Sequence, residues 1–101
     1  MGHKLSPHDN ELYQRVDEVL HFIWDPIGVA GIPAARGEYN SYLPLVFQML
    51  KSGLKASQVA SALNDFVTGN MNLAEDIERS KEVAKILTDW RDALTKKYDA
   101  R

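Results

Sequence analysis

Residues 72–98, NLAEDIERSKEVAKILTDWRDALTKKY, decide the fold. Leu73, Ile77, Ala84, Leu87, Leu94 and Tyr98 keep a nearly seven-residue rhythm, with Val83 and Trp90 beside them. That spacing lines one face of a long amphipathic helix. Asn72 is placed to cap it, with Glu75 three residues on as the reciprocal partner of a capping box. Glu75, Asp76 and Glu78 crowd the first turns, and Arg91, Lys96 and Lys97 the last. This order complements the helix dipole. Asp92 and Lys96 add an exposed i,i+4 pair.

Three shorter helices precede it. The first is expected from about Pro7 or Glu11 to about Trp24, capped by Ser6, with Leu12, Val16, Val19, Leu20 and Ile23 as its stripe. Pro26 ends it, because a residue before proline is pushed out of the helical region. The second covers about Glu38 to Ser52, with Tyr39, Tyr42, Leu43, Val46 and Leu50 on one side. Pro44 means that it either begins near Asn40 or kinks. Gly53 is the expected C-terminal cap residue. The third runs from about Ala56 to Thr68, carrying Val59, Ala60, Leu63, Phe66 and Val67, with Leu54 as a staple. No strand alternation, internal repeat, low-complexity tract or linker is present. The reading is an all-α single domain of about four helices over residues 1–101, bundle-like or orthogonal, with residues 1–6 and 99–101 frayed.

Composition limits the function. A chain of 101 residues makes one domain with one core. It contains no cysteine, which removes disulfides, thiolate metal sites and cysteine nucleophiles, and fits a cytoplasmic protein. No apolar run approaches the roughly 20 residues needed to cross a bilayer, and the N-terminus lacks a signal peptide's apolar stretch. A net charge of −2 with interspersed signs argues against nucleic acid, whose affinity comes from phosphate neutralisation. Residues 56–63 superficially resemble the first helix of a helix-turn-helix. The reading helix would then present Glu75, Asp76 and Glu78 to phosphates, and repulsion rules that out.

The connection between the first two helices carries more than a turn needs. Trp24-Asp25-Pro26-Ile27-Gly28-Val29 and Arg36-Gly37-Glu38-Tyr39-Asn40-Ser41-Tyr42 combine turn residues with Trp, Arg and paired Tyr. Ile27, Val29 and Ile32 are expected to fold back onto the helices. Trp24 either caps the core or serves as an exposed anchor for a partner, and the core role is favoured. Asp25 suits an Asx-type turn and could pair with Arg36 across the loop. Gly28 and Gly31 are read as tight turns, since the context of a phosphate loop is missing. Trp24, Asp25, Pro26, Gly28, Arg36, Glu38, Tyr39 and Tyr42 are the candidate binding residues.

No catalytic set, metal site or cofactor motif emerges. His3 and His8 sit in or near the terminus expected to fray; His21 lies four residues from both Asp17 and Asp25, a spacing that an acidic helix face produces by chance. A non-enzymatic module acting through a protein partner or self-association is the reading preferred. The alternative is a small-molecule or enzymatic pocket of Asp25, Arg36, Glu38, Tyr39 and Tyr42.

Trp24 to Val29, Glu38 to Tyr42, Leu50 to Gly53 and Met71-Asn72-Leu73 together resemble a family of short, all-helical bacterial proteins with a Trp-Asp-Pro-Ile-Gly loop and an acidic-Tyr-x-x-Tyr helix. The resemblance spans about Val19 to Leu87. That family usually carries Asp-Glu-Tyr-Asp-x-Tyr and Met-Gly-Leu, whereas this chain has Gly37-Glu38-Tyr39-Asn40-Ser41-Tyr42 and Met71-Asn72-Leu73. The missing acids weaken any metal or acid–base role. As to function, the resemblance implies only an uncharacterised helical protein; that relatives of this size often look like accessory partners, including immunity proteins beside bacterial toxins, is an analogy.

Overall fold

A computed structural model describes residues 5–99. These residues form four α-helices and, among them, no strand: α1 Pro7–Val19, α2 Leu43–Lys51, α3 Ala56–Asp65 and α4 Ile77–Asp99. The all-α reading therefore holds. The expected fraying falls mostly outside the described range. Within that range Ser6 accepts the Asp9 N–H at 3.1 Å and caps α1. His8 is ordered rather than frayed: its ring stacks on Tyr98 with centroids 4.9 Å apart.

α4 spans the molecule and packs chiefly on α3 and α1, with α2 closing the side. Leu12, Val16, Val46, Leu50, Val59, Leu63, Val83 and Leu87 make one continuous core. Polar ties fasten the helix ends. Lys51 meets Asp9 at 2.6 Å, and both Lys97 and the Tyr98 hydroxyl reach Glu11. Arg91 donates to the Leu54 carbonyl at 2.7 Å, joining α4 to the α2–α3 turn. Gly53 in that turn has φ +82°, the left-handed conformation expected of a helix-ending glycine.

Both α1 and α3 end in a π-helical turn, Leu20–Trp24 and Phe66–Asn70. The Asp25 N–H bonds the Leu20 carbonyl and the Met71 N–H the Phe66 carbonyl, five residues back in each case. The wider turn moves the apolar register. Trp24, not Ile23, lines up with Leu20 and is buried, while Ile23 is turned out to 42% exposure.

Three further expectations shift. α2 begins at Leu43, so Tyr39 and Tyr42 precede it, and Pro44 occupies the tolerant first turn without a kink. α4 begins at Ile77: Asp76, not Asn72, accepts the Arg79 N–H, and Asn72 takes a left-handed φ of 55° in the connection. Leu73 and Trp90 leave the stripe for the surface, and Ser80 and Thr88 are buried in it. Asp92 pairs with Arg91 at 3.0 Å rather than with Lys96.

Candidate functional site

The connection from Asp25 to Tyr42 is ordered by one carboxylate. Asp25 ends the π turn with φ 33°, a left-handed conformation that Asp tolerates better than most residues. Its Oδ1 accepts the Val29 N–H at 2.7 Å and the Tyr39 hydroxyl at 2.7 Å, and its Oδ2 accepts the Ala30 N–H at 2.9 Å. The Tyr39 oxygen in turn accepts the Ile27 N–H at 3.0 Å. The expected Asx-type turn does not form, because the N–H two residues on, that of Ile27, goes to the Tyr39 oxygen; the carboxylate instead spans a wider turn to Val29 and Ala30, with a tyrosine locked onto it. Gly28 sits inside this turn at φ +79°, where a side chain would be strained.

The electrostatics follow from these bonds. Partial burial pulls the Asp25 carboxyl upward, but the Tyr39 hydroxyl and the backbone N–H groups of Val29, Ala30 and Gly28 outweigh it. Asp25 ends below its ordinary 3.8. Burial and the bond to Asp25 push the Tyr39 hydroxyl up to about 12. Neither shift prepares a proton-transfer group near neutrality.

The expected Asp25–Arg36 pair does not form. Arg36 instead makes a fork onto Asp17 of α1, with Nη1–Oδ1 3.0 Å and Nη2–Oδ2 2.9 Å, and lies over the Phe22 ring at 5.3 Å. Asp25 turns its oxygens inward to the loop's own N–H groups and the Tyr39 hydroxyl, whereas Asp17 one turn before His21 presents both oxygens to the returning loop.

The remaining candidate residues divide among different faces. Trp24 is 1% exposed, at the centre of an aromatic cluster with Tyr39 at 5.3 Å, Tyr42 at 5.7 Å and Phe66 at 6.5 Å. It presents no ring to a partner. Glu38, Tyr39 and Tyr42 border a shallow hollow of about 310 Å³ with Ser41, Asn70 and Met71, which neither Asp25 nor Arg36 lines. The pocket of five residues considered from sequence is therefore not assembled as a unit. Pro26 lines a separate cleft, described below.

Ile27 and Ile32 do not fold back as expected; only Val29 packs on the core. Four of the eight large apolar residues exposed in the described chain, Phe22, Ile23, Ile27 and Ile32, fall within residues 22–32. Phe22 and Ile32 share a small slot of about 170 Å³ with His21, Gly31, Pro33 and Arg36. His21 is buried, and its Nδ1 has no hydrogen-bond partner. Sequence reasoning passed over Phe22. Its signal was position: it falls between Val19 and Ile23 and outside the apolar stripe.

A larger cleft of about 360 Å³ opens on the other side of Trp24, between the Asp25-Pro26 turn and the start of α4. Leu73, Asp76, Arg79 and Ser80 contribute to it, and the sequence pattern had singled out none of them as site residues. They come from the segment that the helix pattern assigned to scaffolding. Among the described residues no three His, Asp or Glu side chains gather where they could share a metal ion. Among the described residues no helix is long and apolar enough to cross a membrane.

Comparison with protein-family models, with curated proteins and with solved structures finds no match for the chain. The fold and the site geometry are therefore the whole basis for a function.

Proposed function

We propose that this chain is a non-enzymatic protein-interaction module of the cytoplasm, an accessory partner of the immunity type, whose docking face is built on residues 22–36. The observation that carries the proposal is the concentration of exposed Phe22 and Ile23 on the π turn and of Ile27 and Ile32 on the braced loop that follows it. Scattered exposed apolar residues need no explanation, but four within eleven consecutive residues do. Bracing matters because an ordered loop loses little conformational entropy on docking. Asp25 and Tyr39 supply it from inside, and Arg36 anchors the far end to Asp17. Aromatic and Arg side chains beside an apolar slot are the usual anchors of an interface.

The alternative, a small-molecule site, draws on the hollow beside Glu38 and Ser41. Against it, the Tyr39 hydroxyl is fully occupied as donor and acceptor and has nothing to offer a ligand.

The test is capture of a stoichiometric partner from native lysate by the tagged chain, compared with a folded Phe22→Ser, Ile32→Ser double variant. Loss of the partner in the variant supports the reading. Undiminished capture, or no partner from any lysate fraction together with a monomeric chain, overturns it.

A further inference from the structure

We propose that the outer face of α4 is a self-association surface, on which a second copy of this chain docks its own α4 antiparallel about a two-fold axis. The proposal stands apart from the loop reading above and uses none of its residues.

α4 carries two faces. One supplies the core with Val83, Ala84, Leu87 and Leu94. The other runs along Glu82, Ile86, Asp89, Ala93 and Lys96, the alternating four- and three-residue steps of a helix-pairing seam. Along this seam Ala93 is exposed and Ile86 half-buried, and Trp90 beside them is 37% exposed. Between Ile86, Asp89, Trp90 and Ala93 lies an open hollow of about 320 Å³. Arg15 of α1, its guanidinium 5.4 Å from the Trp90 ring centre, holds that indole in place as one wall.

Charge and size select the occupant. Asp89 pairs with Lys85 at 2.9 Å and Lys97 with Glu11 at 2.9 Å, whereas Glu82 and Lys96 have no ion-pair partner among the described residues. Both are exposed, on one flank of the seam and about 21 Å apart along the helix, too far to meet within one chain. An antiparallel second copy, with its axis beside Asp89 and Trp90, sets each Glu82 opposite the second copy's Lys96. The same register sets the large Ile86 opposite the small Ala93, so each copy fills the other's hollow. Asp89 nears its symmetry mate at the axis, where each already carries its Lys85 counter-charge. Parallel pairing would instead set Glu82 on Glu82 and Lys96 on Lys96, with the helix dipoles aligned against each other. A two-fold, self-complementary patch of this kind closes as a dimer.

The experiment is analytical ultracentrifugation of the whole chain from about 10 µM to about 1 mM, since a face of this length falls below a standard interface. The mass should rise reversibly from monomer toward dimer. Ala93→Glu, which puts a charge on the seam, should weaken the dimer at least about tenfold. Glu82→Lys should weaken it about tenfold by repulsion, and Glu82→Lys combined with Lys96→Glu should restore it. These positions are exposed, so the unfolding midpoints of the variants should match that of the wild type. The chain contains no cysteine, so introduced cysteines report the geometry. With a short bismaleimide, Asp89→Cys should cross-link to its own mate, whereas Glu82→Cys should cross-link only to Lys96→Cys. Phe22→Ser with Ile32→Ser should leave the dimer intact. A monomer at every concentration, indifference to Ala93→Glu, no restoration by the charge swap, self-cross-linking of Glu82→Cys, or a dimer lost with Phe22 and Ile32 overturns the proposal.

Discussion

The Tyr39 hydroxyl donates to Asp25 Oδ1 at 2.7 Å and accepts the Ile27 N–H at 3.0 Å, so one oxygen closes the connection between α1 and α2. The bond joins residues 14 apart in sequence across a buried ring that also touches Trp24. Loop order, aromatic core and the outward display of Ile27 all depend on it.

Asp25→Ala should destabilise the fold by about 1–3 kcal/mol in a urea titration, since two backbone N–H groups and a tyrosine hydroxyl lose their acceptor. The pH dependence has a definite sign. Because the folded carboxyl titrates below its unfolded value of 3.8, its contribution is complete above that pH and fades as pH falls through the lower folded value. The wild-type protein should therefore lose stability on acidification below about pH 4 more steeply than Asp25→Ala does.

Tyr39 acts at the other end of the scale. Its hydroxyl is raised from 10.0 to about 12, so its contribution is complete below pH 10 and is lost as pH rises toward 12. The bond to Glu11 also raises Tyr98, but Tyr39 should be the last tyrosine to titrate in tyrosinate absorbance, and that last step should be absent in Tyr39→Phe. Wild type should destabilise across that window by about 2–3 kcal/mol more than the variant, the equivalent of the shift.

Double-mutant cycles separate the two anchors of the loop. Asp17 and Arg36 should couple by up to about 1 kcal/mol, a modest figure because both side chains are partly solvated. Asp25 and Arg36 share no bond and should be additive within about 0.5 kcal/mol. Strong coupling between Asp25 and Arg36 would contradict the arrangement.

Trp24 and Phe22, two residues apart, should behave as opposites. Trp24→Ala empties the aromatic cluster and should cost about 3–5 kcal/mol in denaturant unfolding. Phe22→Ser removes a side chain that is 55% exposed but lies under the Arg36 guanidinium, and should cost about 1 kcal/mol, well below the Trp24 figure. A binding defect in Phe22→Ser thus reports on the surface, whereas one in Trp24→Ala reports on folding.

Much of this was legible in the chain. The stripes of α1, α3 and α4 placed Leu12, Val16, Leu63 and Leu87 in the core, and cap chemistry placed Ser6 at the start of α1 and Gly53 after α2. Asp25 before Pro26 signalled the turn that it now holds. What misled was the assumption of uniform helical period. A π turn after Val19 turned Ile23 out and Trp24 in, and no local residue type announces that insertion. Arg36 was assigned to the nearer acid in the loop, whereas Asp17, 19 residues away in sequence, proved closer in space.

The amino-acid sequence by itself determined the helical class, the number of helices and the identity of the crowded loop. Those properties follow from periodicity and turn chemistry within a few residues. Only the tertiary structure decided which aromatic is buried, which acid holds Arg36, and that Asp76 and Ser80 border a cleft beside Trp24. Those outcomes depend on where α1 and α4 come to rest against each other. That placement is set by the summed burial of the whole core, and no single segment contains it.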